Sequence, residues 1–141
     1  MAVAVAMLLG SSAAWSLDFR SVGEAAVLYD APSKHAKPLF VIARYTPVEV
    51  VVAMEGWTKV RDSNGDIAWI EKHSLTEKRT LIVNASRAEV RAKPDDGAPV
   101  VFQCEKDVAL DLLEAAPAGW AKVRHRDGTS GYVRVSKVWG L

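Results

Sequence analysis

The chain has 141 residues, half of them hydrophobic and a quarter charged, with a formal net charge of +1. That composition belongs to a soluble globular protein with enough apolar side chain for a packed core. So neutral a balance gives no electrostatic case for nucleic acid, and no apolar run reaches the ~18 residues of a membrane span.

Residues 1–16, MAVAVAMLLGSSAAWS, hold no charge, and the apolar run Ala2–Leu9 leads into small residues. Ala14 and Ser16 stand where a signal peptidase reads small side chains. This predicts a signal peptide over 1–16, cleavage after Ser16 and a mature chain that is periplasmic or secreted. No Lys or Arg precedes the apolar run, so an uncleaved N-terminal anchor stays open as the other outcome. No cysteine directly follows the run, which argues against lipoprotein processing.

From residue 17 onward the pattern is strands and turns. PVEVVVA (47–53), WTKVRD (57–62) and IAWIE (67–71) are short, rich in β-branched and aromatic residues, and separated by turn signals. Asn64-Gly65 and Asp127-Gly128 predict hairpins, and Glu55-Gly56 and Ala118-Gly119 mark a second turn in each half. No stretch after residue 16 shows a helical period.

The chain repeats itself. GWTKVRDSNGDIAWI (56–70) returns as GWAKVRHRDGTSGYV (119–133). An offset of 62 aligns Leu28 with Val90, Pro32 with Pro94, Phe40 with Phe102, and Val48 and Val50 with Leu110 and Leu112. After the turns AMEG and AAPAG the offset becomes 63, aligning Trp57 with Trp120, Val60 with Val123, Trp69 with Tyr132 and Ile70 with Val133. One insertion, placed in a turn, marks a duplicated unit. Five or six short strands in ~60 residues bury a core only by curling into a small barrel or tight sandwich. The predicted organisation is a first domain over 17–75, a short linker over 76–79 and a second domain over 80–141. So short a linker implies that the two units touch.

The order of motifs is similar to the bacterial SH3-like (SH3b) domain. RAEVRAKPDDGAPVV followed by GWAKVRHRDGTSGYVRVSKV carries that family's Val-Arg strand, Pro-containing loop, Gly-Trp-x-x-Val strand and closing Gly-Tyr-Val. AAVLYDAPS followed by GWTKVRDSNGDIAWIEKHSL repeats it with two departures: Leu28-Tyr29 replaces Val-Arg, and Ala68 replaces the glycine held by Gly131. The resemblance covers residues 19–141. It implies an all-β chain of two tandem SH3-like barrels after the signal segment. It further implies an exported, non-catalytic module that recognises peptides of the cell wall, peptidoglycan above all. The alternative is a periplasmic adaptor that binds another exported protein.

Strand parity places Thr58 and Val60 inward and Trp57, Lys59 and Arg61 outward; Trp120, Lys122 and Arg124 repeat the outward set. Hairpin register stays open between Trp69 and Ile70 opposite Val60, while the resemblance puts Ile70 and Val133 inside. Trp57, helped by Tyr29 and Tyr45, is the candidate ligand groove, with Trp120 its counterpart. An aromatic groove offers large apolar area at low entropy cost. The competing reading makes both tryptophans packing residues, covered by the stems of Lys59 and Lys122 or by the neighbouring barrel.

Catalytic chemistry finds little support. His35, His73 and His125 show no metal-ligand spacing, so no metal or cofactor is expected. The single cysteine, Cys104, alternates with Val100 and Phe102 and aligns with Ile42, which reads as a buried thiol. An enzyme using Cys104 as nucleophile would need a histidine beside it, and its own stretch holds none.

Overall fold

The computed structural model describes residues 17–116 and 118–141. The expected signal segment over 1–16 lies outside the described residues. The first half forms strands β1 (Phe19–Val22), β2 (Ala26–Tyr29), β3 (Pro38–Ile42), β4 (Pro47–Ala53), β5 (Trp57–Arg61), β6 (Ile67–Glu71) and β7 (Leu75–Thr76). The second forms β8 (Thr80–Val83), β9 (Arg87–Arg91), β10 (Val100–Glu105), β11 (Ala109–Ala116), β12 (Trp120–Arg124), β13 (Ser130–Arg134) and β14 (Val138–Trp139). Three-residue 3-10 turns precede β7 and β14 and are the helical elements among the described residues. The protein is therefore all-β, two tandem small barrels. Each has seven strands rather than five or six, because the turn after β6 or β13 feeds a two-residue strand back onto the opening one.

Both sheets have the same order, β3-β2-β6-β5-β4-β1-β7 and β10-β9-β13-β12-β11-β8-β14. Inward positions alternate as a period of two requires. Val22, Leu28, Ile42, Val48, Val60, Ala68 and Ile70 form the first core; Leu81, Val83, Val90, Cys104, Leu110, Val123, Val133 and Val138 anchor the second. Thr58 and Val60 are buried, while Trp57, Lys59 and Arg61 are half-buried on the other face, as parity requires.

The hairpin register differs from both expected alternatives. Val60 faces Ala68, and Ile70 faces Thr58. A two-residue turn would need positive φ at both Asn64 and Gly65, whereas only Gly65 adopts it, at φ 87°. The turn widens instead: Asp62 N donates to Asp66 O at 2.9 Å, and Asp62 Oδ1 accepts from the amides of Asn64 and Asp66. Ile70 and Val133 are nonetheless fully buried.

The barrels touch. Phe19 of β1 meets Trp139 of β14 edge-on at 5.3 Å, and Arg79 donates to Gly140 O at 2.7 Å while its guanidinium lies over Phe19. Tyr45 and Asp107 occupy equivalent corners, at φ 72° and 70°, and their amides donate to Val22 O and Val83 O at 2.7 and 2.8 Å. A tyrosine at positive φ is uncommon. The corner is common to both domains, and at Tyr45 it has further partners: Thr80 Oγ1 donates to Tyr45 O, and the ring lies against Arg44, Lys78 and Arg126, with Arg126 4.3 Å from the centroid.

Candidate functional site

Tyr29 ends β2, where Leu28 points into the core and the next side chain turns outward. Trp57 begins β5 opposite Glu71, just after Gly56 at φ 78°. The two rings meet edge-on, 5.6 Å between centroids and 80° between planes, and both are half-buried. Edge-to-face contact puts the positive rim of one ring on the negative face of the other. It also leaves a stepped apolar wall at the surface.

Two carboxylates stand on one side of that wall. Glu71 bridges Lys34 Nζ at 3.5 Å and His73 Nε2 at 3.2 Å. Glu24, Glu71 and His73 line a cleft of about 310 Å³ beside Tyr29. Among the described residues no group of three or more metal-ligating side chains converges. An aromatic step beside carboxylates can stack on an apolar group and hold a cationic one.

A family model for the bacterial SH3 domain matches the chain twice, over residues 22–77 and 84–140. The chain belongs to the bacterial SH3 domain family. None of the curated proteins matches it. Among solved structures it is similar to NlpC2 from Trichomonas vaginalis, at 16% identity and TM-score 0.40, over 89% of this chain and 49% of that one. NlpC1 from the same organism gives 16% identity and TM-score 0.41, over 98% and 51%. An NlpC/P60 family protein from Bacillus cereus ATCC 10987 gives 14% and 0.40, over 88% and 56%. The chain thus spans between 49% and 56% of the length of these proteins.

The two SH3 domains differ at the candidate site. Tyr29 and Trp57 come together in the first, but Tyr45 does not join them. It sits in the corner between β3 and β4, and its ring is engaged by Lys78 and by Arg126 of the second domain. Trp120, expected as the counterpart of Trp57, is only 3% exposed. The guanidinium of Arg134 lies 4.3 Å above its ring, and Arg134 in turn holds Asp96. Arg91 stands where the first SH3 domain has Tyr29, so Trp120 has no aromatic partner there. Parity put both tryptophans on the same face; a cation reaching over from β13 covers one of them. The signal was present in the sequence, since Glu71 and Arg134 align at the offset of 63.

Cys104 is 3% exposed, and burial first, then the charge of Asp127, pushes its thiol above the ordinary range. The thiolate that nucleophilic chemistry needs is thereby disfavoured. His125, half-buried, packs its ring on Phe102 at 5.8 Å.

Proposed function

We propose that the chain is an exported, non-catalytic binding module whose first SH3 domain takes a cell-wall (peptidoglycan) peptide in the Tyr29–Trp57 groove. Membership of the bacterial SH3 domain family supplies the class of module. The observation that carries the reading is the half-buried, edge-on pair of Tyr29 and Trp57 beside Glu24 and Glu71. The rings offer apolar area with little rotamer entropy to lose, and the tyrosine hydroxyl offers a hydrogen bond. The carboxylates suit an amine on the same peptide. Export rests on the uncharged apolar start of the chain and Ala14-Trp15-Ser16.

A second reading, an adaptor for an exported protein, is favoured by one observation. Strand β3 ends its sheet, and Leu39 and Val41 on it are 43% and 70% exposed. An unpaired edge of that kind can accept a strand from a partner. Pull-down of the chain on purified peptidoglycan, beside capture from an extract of exported proteins, separates the two. Retention on peptidoglycan that Trp57→Ala abolishes supports the first. Retention only by a protein, unaffected by Trp57→Ala, supports the second.

A further inference from the structure

The two domains carry overlapping clefts at aligned positions, with net charge of opposite sign. In the first domain the cleft is lined by Glu24 and Glu71 with His73. In the second, a cleft of about 310 Å³ is lined by Arg87, Arg91, Arg134 and Lys137 against Glu89 and Asp96, with Trp120 as its apolar wall. Counting full charges with histidine neutral, and with Lys34 included as the counterpart of Asp96, the first carries two carboxylates less one lysine, −1, and the second four cations less two carboxylates, +2.

The charges change at aligned positions. Arg91 replaces Tyr29, Asp96 replaces Lys34, and Arg134 replaces Glu71. The bridge itself survives the exchange with its polarity reversed: Lys34 to Glu71 in one domain, Asp96 to Arg134 in the other, with Arg134 Nε donating to Asp96 Oδ1 at 3.2 Å. A reversed bridge would keep the loop in place without any further change. The second domain nevertheless adds Arg87 and Lys137 where the first has Ala25 and Ser74. Both are exposed, and neither forms an ion pair among the described residues. Loop anchoring does not explain them.

We infer that the cleft of the second domain binds a carboxylate, the terminal or side-chain carboxylate of a peptide. The Arg134 guanidinium is held 4.3 Å over the Trp120 ring, and its N–H groups already face a carboxylate, that of Asp96. Asp96, whose side chain is 70% exposed, occupies those N–H groups and gives way to the incoming carboxylate. Arg87 and Lys137 add charge at the rim. A monoanion fits better than a dianion such as phosphate, because Glu89 stays in the lining and repels the second charge. The inference stands whether or not the Tyr29–Trp57 groove binds a peptide.

The test is a ¹⁵N–¹H titration of the 141-residue chain at constant ionic strength with N-acetyl-dialanine, its C-terminal amide and inorganic phosphate. Saturable shifts at Trp120 and Arg134 with the acid, at least tenfold weaker with the amide and with phosphate, are expected. Arg87→Gln with Lys137→Gln, both at exposed positions, should weaken the acid at least tenfold with the spectrum otherwise folded. Asp96→Asn, which removes the internal competitor, should tighten it severalfold. Equal response to acid and amide, equal or stronger binding of phosphate, or an unchanged double variant would overturn the inference. Shifts confined to Tyr29 and Trp57 would overturn it too, while leaving the aromatic groove intact.

Discussion

Thr80 Oγ1 donates to the carbonyl oxygen of Tyr45 at 2.6 Å, and so the opening strand of the second SH3 domain holds a corner of the first. Thr80 is 1% exposed, and the corner it holds has positive φ. Phe19 on Trp139 and Tyr45 against Arg126 add to the contact between the two domains.

Thr80→Val keeps the shape and removes the donor, leaving a part-buried carbonyl without its partner. A loss of roughly 1–3 kcal/mol is expected. NMR relaxation should give a single tumbling time for both domains in the wild-type chain. In the variant, the amides around Tyr45 and Thr80 should be the first to show exchange.

Gly131→Ala should be costly where its counterpart is not. A Cβ at Gly131 would stand 2.6 Å from Arg91 O and 2.7 Å from Val90 Cγ1. In the first domain Ala68 occupies the aligned position and is packed into the core at 2% exposure. Gly131→Ala is expected to destabilise the second domain by ~1–3 kcal/mol, and Ala68→Gly the first by only about 1 kcal/mol. Denaturation followed separately through amides of β9 and of β2 checks both.

Much of this was legible in the sequence. A period of two and the self-match at offsets of 62 and 63 give the duplicated all-β units, and parity gives the faces of Thr58, Val60 and Trp57. What escaped depends on contacts between segments far apart in the chain. Tyr45 reads as an exposed aromatic until Thr80 and Arg126 arrive from the other domain. Trp120 reads like Trp57 until Arg134 folds over it. Register escaped because Asp62 closes a wider turn than Asn64-Gly65 suggests, by accepting two backbone amides.

The bridge between Asp96 and Arg134 has a pH signature. The hydrogen bond from Arg134, chiefly, holds the Asp96 carboxyl below its usual range. A carboxyl depressed in the folded chain supports the fold above its unfolded pKa, and that support is lost as pH falls through the folded value. Carbon-detected titration of Asp96 should show the depressed midpoint, and Arg134→Gln should return it toward the ordinary carboxylate range. An unchanged midpoint in the variant would assign the depression to another group.

Cys104 should resist modification. With the thiol buried and its pKa raised, labelling by iodoacetamide at neutral pH should be slow in the folded chain and complete after denaturation. The sign of the linkage is opposite to that of Asp96. The thiol's contribution is fully present below the unfolded pKa and is lost as pH rises through the folded one. Rapid labelling of the native protein would contradict the core placement.

The central claim is that Trp57 is a ligand surface and not merely packing, and Trp57→Ala measured for binding and stability together tests it most directly. With a soluble peptidoglycan peptide as probe, the account predicts a loss of ~1–3 kcal/mol in affinity with the melting transition of the first SH3 domain little changed. A variant that loses the ~3–5 kcal/mol of folding stability typical of a buried tryptophan, yet binds the peptide normally while folded, would contradict it.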